Sequence, residues 1–196
     1  MPRLIDHDQR RAELAEACWR VIAERGVGAV SVRTVAAEAG VSVGSLRHVL
    51  PTKGGLLAAA MRLCLERATA RFAAHSPDLR TRADAINWLT EMLPLDAERR
   101  LEMTIHLALA AEAAGHPELA SLRAAPDDAV RSGCEVVLRT CAAAGLLRDG
   151  LDLDAETTLL HVLLDGLAFH LLGPAARLSD DAARAILDAH LAARWA

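Results

Sequence analysis

Between Ser31 and Pro51 the chain reads SVRTVAAEAGVSVGSLRHVLP, and this stretch allows few folds. Ser31 can cap a helix by accepting a backbone N–H from its first turn, and Ser42 can cap a second in the same way. Gly40 lies between them, where a reversing chain needs the left-handed backbone that glycine adopts at little cost. Pro51 closes the second helix, because it disfavours helical geometry at Leu50. Two short helices over about 32–38 and 42–49, joined by a tight turn, are therefore predicted. Val32, Val35 and Ala36 face inward from the first, Leu46 and Val49 from the second, and Val41 follows the turn as a further anchor. The outer edge of the second helix opens Ser42-Val43-Gly44-Ser45, slim enough to enter a DNA major groove about 12 Å wide. A helical hairpin inside a core would explain the hydrophobes but not this small, hydroxyl-bearing edge.

The rest of the chain is predicted to be helical too. Alanine, leucine, arginine and glutamate dominate, and nothing alternates with period two for long. A first helix is expected near 8–25, capped by Asp6 or Asp8, with Leu14, Cys18, Val21 and Ile22 as its apolar stripe and Gly26 as its stop. A long fourth helix should run from Thr52 to about Ala74. Prolines 77, 94, 117 and 126, Gly150 and Gly173-Pro174 then divide the remainder into helices near 79–92, 96–114, 118–144, 153–172 and 180–194, the third of these open to a break at Pro126. Short turns between helices of this length describe a bundle. The fold class is all-α, with a helix-turn-helix domain at 1–51 and a second domain at 52–196.

Charge divides along the same line. Residues 1–71 hold 11 Lys/Arg against 7 Asp/Glu, whereas residues 72–196 hold 11 against 19, so the amino-terminal part is the one suited to a polyanion. No apolar run reaches the roughly 18–20 residues of a membrane span, and MPRLIDHDQRR has no apolar segment like that of a secretory signal, so a cytoplasmic protein is expected. Four scattered cysteines without a CxxC pair suit reduced thiols in a cytosol better than a zinc or redox site. GxSxG, HExxH, a P-loop and a dinucleotide glycine turn are all absent, so no catalytic residue, metal or cofactor is expected.

From Arg10 to Leu57, RRAELAEACWRVIAERGVGAVSVRTVAAEAGVSVGSLRHVLPTKGGLL, the sequence resembles the amino-terminal domain of TetR-type (tetracycline-repressor-like) bacterial transcriptional regulators. The family pattern of a helix, ERG, a Ser/Thr-Val-Arg start, an AGVS.G.LY.HF core and KE.L appears here as AERG, SVRTVAAEAGVSVGSL, RHVL and PTKGGLL. Arg47 stands where many members carry tyrosine, Leu50 replaces the usual phenylalanine, and Gly54 and Gly55 replace acidic residues. The resemblance and the spacing nominate Arg33 and Thr34 on the second helix, Ser42, Arg47 and His48 on the third, and Lys53 at the fourth as contacts to duplex DNA. Val43 and Ser45 are base-edge candidates, Gly44 allows close approach, and Arg47 could fork onto guanine. Losing two carboxylates leaves the amino-terminal end of the fourth helix, beside Lys53, attractive to a phosphate. Arg3, Arg10 and Arg11 could form an arm.

The resemblance implies that the carboxy-terminal bundle binds a small-molecule effector and dimerises, and EMLPLDAERRLEMTIHLALAAEA with LLDGLAFHLL is similar to the BetI-like branch of the family. The helix at 153–172 is apolar almost all round and needs cover on every side, so it and 126–144 are the expected dimer interface. Candidate pocket residues are Trp88, Met103, His106, Leu107, His161, Asp165 and Phe169, although core filling explains several equally well. His161 and Asp165, four apart, share a helix face and can pair; His106, one turn beyond Glu102 and near Arg99, suits an ion network. The function expected is a ligand-responsive repressor that binds a palindromic operator as a dimer. The alternative is an all-α ligand-binding protein or enzyme whose amino-terminal helices are purely structural.

Overall fold

In a computed structural model of the chain, residues 7–74, 79–113, 120–173 and 178–196 are described. Among them are nine α-helices: α1 His7–Arg25, α2 Val32–Glu38, α3 Val43–Val49, α4 Lys53–Ala74, α5 Arg82–Thr90, α6 Ala97–Ala113, α7 Ala120–Ala143, α8 Leu153–Leu171 and α9 Asp180–Ala192. A single 3-10 turn, Val27–Ala29, follows α1. The all-α expectation holds.

Two compact units form. The first takes in the described residues up to Ala70 together with those of 101–125; the second takes in 71–100 and 126–196. In the first unit α1 packs on α2 and α3, and the predicted stripe of Leu14, Cys18, Val21 and Ile22 is buried. Leu46, Leu50, Leu56, Leu57 and Met61 close the same core, joined by Ile105 and Leu109 of α6. Arg67 of α4 ties α1 to α4 from outside. Its guanidinium donates to both carboxylate oxygens of Glu16, at 2.8 and 3.0 Å, and lies 4.4 Å over the ring of Trp19. In the second unit α5 packs on α9, and Cys134, Val137, Leu138 and Cys141 of α7 are buried, as are Leu160, Leu164, Leu167 and Leu171 of α8.

Several boundaries differ from the expected ones, each for a local reason. Asp8 falls within the first turn of α1 and does not cap it, while Asp6 lies outside the described residues. The chain after Gly26 is not plain loop, because Val27 and Ala29 pack on the core and wind into the 3-10 turn. α5 starts three residues later than predicted. Thr81 accepts from the Asp84 backbone while Asp84 accepts from that of Thr81, and this reciprocal cap fixes the start. Pro126 does not break α7, which runs through it from Ala120 to Ala143. The boundary between the units nevertheless falls there, at the one position whose nitrogen cannot donate back along the helix. α9 stops at Ala192 because the last residues pair with another segment. Arg148 donates to the Arg194 carbonyl and Ala196 to that of Leu146, around a Leu147–Trp195 bridge.

Candidate DNA interface

α2 and α3 are seven residues each, too short to persist unaided in water. Their ends are therefore held by side chains. The Ser31 hydroxyl accepts from the Thr34 N–H, at 3.1 Å, while Thr34 Oγ1 accepts from the Ser31 N–H and donates to the Ala29 carbonyl at 2.7 Å. Ser42 caps α3 by accepting from the Ser45 N–H at 3.1 Å. Gly40 turns between the helices at φ 65°, as its position in the sequence requires. Leu50 leaves helical geometry at φ −135°, ψ 85°, ahead of Pro51.

These constraints fix what α3 presents. Leu46 has no exposed surface and anchors the helix, with Val49 packed beside it. Ser42, Val43, Gly44, Ser45, Arg47 and His48 are all exposed, Val43 at 37 %. Arg33 is exposed on α2. Lys53, half-buried, opens α4, whose first turn carries no acidic residue. Thr52 accepts from the Gly55 N–H at 3.0 Å and so satisfies one of the donors left at that helix start. Thr34 is placed differently from the other nominated residues. Its hydroxyl is committed to the cap of α2.

Electrostatics reinforce the arrangement. Glu38, the acidic residue of α2, is drawn back by Arg20 at 2.8 Å and Arg25 at 3.4 Å, both from α1. No carboxylate occupies the first turn of α2, α3 or α4. The pairing of Glu38 has no signature in sequence spacing, since its partners lie 13 and 18 residues away. The expected arm is only partly described. Arg10 and Arg11 are residues of α1, with Arg10 paired to Glu13 at 2.9 Å, and Arg3 lies outside the described residues.

The pocket candidates divide between the units. Met103, His106 and Leu107 belong to α6 in the first, where Leu107 is 43 % exposed. In the second, Trp88 stacks against Phe72 with ring centroids 5.1 Å apart, and its indole N–H is sealed from solvent without a hydrogen-bond acceptor. A side chain at Gly133 would collide with Met92 and crowd Trp88, so glycine there permits α7 to approach both. Phe169 is 67 % exposed. His161 and Asp165 face each other as expected, Nε2 to carboxylate 3.6 Å, and Asp127 of α7 joins them. Arg99 binds Glu91, Asp96 and the Thr90 carbonyl.

Comparisons with known proteins agree with this architecture. Residues 14–60 match the family described as bacterial regulatory proteins, tetR family, and residues 79–196 match the BetI-type transcriptional repressor carboxy-terminal family. The HTH-type transcriptional regulator PksA of Bacillus subtilis (strain 168) is 36 % identical over 192 residues, covering 97 % of this chain and 92 % of that protein. A transcriptional regulator from Rhodococcus sp. RHA1 superposes with a TM-score of 0.78 at 30 % identity, covering 94 % of this chain and 95 % of that one. Another, from Saccharomonospora viridis and solved in complex with choline, superposes at 0.79 with 25 % identity, covering 96 % and 98 %. The reading of an enzyme or carrier with idle amino-terminal helices therefore falls away. An amino-terminal helix-turn-helix with an exposed α3 edge, followed by a matching carboxy-terminal bundle, makes this chain a member of the TetR family of bacterial helix-turn-helix transcriptional regulators, with a BetI-type carboxy-terminal domain.

Proposed function

We propose that this regulator is a cytoplasmic, homodimeric repressor, with residues 1–51 reading a palindromic operator and residues 52–196 binding an effector and a second copy. One observation carries the reading. The Ser42–Ser45 edge of α3 is exposed while Leu46 behind it is fully buried. A slim edge on an anchored helix suits the major groove, with Val43 and Ser45 against base edges and Gly44 allowing close approach. Arg47 and His48 from α3, Arg33 from α2 and Lys53 from α4 suit phosphates on either side.

A single head makes few phosphate contacts, so affinity calls for two heads on half-sites about one helical turn, or a multiple, apart. The exposed side of α8 supports the second copy. Leu159, Val162 and Phe169 lie on one stripe of it at 52, 64 and 67 % exposure, and Val136 of α7 is 43 % exposed. Apolar side chains in such a row are a poor match for water and a good match for their own two-fold image. An effector that favours one spacing of the heads over another would release DNA, with a coupling of roughly 1–3 kcal/mol. Choline is the first effector to test, given the relative solved with it and the Trp88–Phe72 aromatic pair, whose faces suit a quaternary ammonium.

Selection of bound duplexes from a random pool tests the reading directly. A two-fold symmetric consensus is expected, and its complex should weaken steeply with salt. Recovery of no consensus, or binding equally strong at low and high salt, overturns it.

A further inference from the structure

His161 of α8 holds its imidazole in an uncommon position. The side chain is 12 % exposed, and Nε2 has no exposed surface and makes no hydrogen bond. Yet a carboxylate oxygen of Asp127 lies 3.3 Å away and one of Asp165 lies 3.6 Å away, both within reach of any positive charge placed between them. The two helices bring this about by running antiparallel. Asp127 meets His161, Arg131 meets Thr158, and Arg139 meets Asp154, in reversed order along α8. His161 and Asp165 share a face of α8 because they are one turn apart.

We infer that Asp127, His161 and Asp165 form a binding site for a divalent transition-metal ion of the zinc class. Distances support this. With metal–nitrogen and metal–oxygen bonds of about 2.0–2.2 Å, neighbouring ligand atoms in a tetrahedral site stand about 3.4 Å apart. The two separations at Nε2 bracket that value. The ligand atoms all lie within 4.8 Å of one another, so the two carboxylate oxygens need to close by at most about 1.4 Å to match it. The side chains of Asp127 and Asp165 are 62 and 58 % exposed, so neither carboxylate is walled in by the core.

Donor chemistry selects the ion. Two carboxylates without an imidazole would suit magnesium or calcium, whereas an imidazole nitrogen favours zinc, cobalt, nickel or copper. Three protein ligands leave a coordination position open to water or to a further ligand, as in zinc sites that are not purely structural. With Nε2 unprotonated, a cation placed between the three groups is what would draw both carboxylates toward it; with Nε2 protonated, the same distances make an ion pair that the metal must displace. The site lies wholly within the second unit and does not depend on the repressor reading.

The test uses the full chain, tag-free and stripped with a chelator, without DNA. Zinc chloride titrated against a chromophoric competitor should saturate at one ion per chain in the micromolar range. Cobalt(II) should give visible absorption bands that zinc then abolishes. Asp127→Asn, His161→Gln and Asp165→Asn should each weaken zinc binding tenfold or more, while His106→Gln and His190→Gln leave it unchanged. Circular dichroism of the metal-free variants separates lost ligands from lost fold. Absence of saturable binding below 100 µM zinc overturns the assignment, as does binding undiminished by His161→Gln in a folded chain.

Discussion

Phe169→Ala separates association from folding, because the side chain it removes lies outside the core. The ring is 67 % exposed and touches only His170 edge-on, with centroids 5.9 Å apart, among the ring contacts described. Truncation should leave the isolated chain's stability within about 0.5 kcal/mol, as for most surface substitutions. In a two-fold dimer across α8 the same ring is covered twice. Taking an aromatic side chain as roughly 200 Å², about 130 Å² is available for burial per copy, and alanine forfeits about 90 Å² of it. At about 25 cal/mol per Å², two copies lose roughly 4–5 kcal/mol, a rise in the dimer dissociation constant of about a thousandfold. Sedimentation equilibrium over a wide concentration range measures that constant, and urea unfolding at fixed low concentration checks the monomer. A variant whose dissociation constant moves less than threefold would remove the α8 stripe from the interface. Under the proposed dimer, in which two heads hold the operator, DNA affinity should fall in parallel.

Other outcomes follow from the same physical terms. Arg47→Ala and Lys53→Ala should each weaken operator binding and reduce the slope of log affinity against log salt by about one, measured by fluorescence anisotropy. Unchanged slopes would return both side chains to plain surface roles. Burial raises the thiols of Cys18 and Cys134 to about 12, the latter helped by Asp165, and that of Cys141 to about 11. At pH 7.5 the folded chain should therefore alkylate at these three sites only as it unfolds, which mass spectrometry after timed iodoacetamide exposure resolves. Burial holds His190 below its ordinary 6.5, with Arg194 assisting and Glu156 opposing. As pH drops through 6.5 the unfolded chain gains a proton that the folded chain resists, so stability should decline on acidification from neutrality. His190→Gln should flatten that part of the stability profile in urea titrations; an unaltered profile would locate the acid response elsewhere.

What the sequence made legible was what local chemistry decides. Ser31, Gly40, Ser42 and Pro51 each act within four residues of themselves, and the helices they bound fall within a residue of the expected ends. Periodicity likewise identified Leu14, Cys18, Val21 and Ile22 as buried and exposed the surplus of leucines on α8. Long-range pairings left no such trace. Glu38 finds Arg20 only because α2 crosses α1, and the end of α9 is set by residues 146–148. Asp127 meets His161 across 34 positions, a proximity set by antiparallel packing and by α7 continuing through Pro126. A proline is a good stop signal where solvent competes for the freed carbonyl, and a weaker one where packing holds both halves of the helix in line.

The way α2 and α3 are stabilised also determines which residues are free to specialise. Helices of seven residues gain little from their own backbone bonds, so their order rests on the capping hydroxyls of Ser31, Thr34 and Ser42 and on the burial of Val35, Ala36 and Leu46. A cap of this kind is worth about 1 kcal/mol and a fully buried leucine several times that, which leaves these positions little latitude. The side chains of Val43, Ser45, Arg47 and His48 contribute none of these bonds or contacts. They lie on the exposed side of a helix already fixed in place, and an exposed valine costs the free protein apolar hydration that a thymine methyl would relieve. The division separates a scaffold that is intolerant of change from an edge that can be rewritten at little cost to folding. Such a separation explains how α3 can carry few charges: its position is secured from behind, by packing and caps.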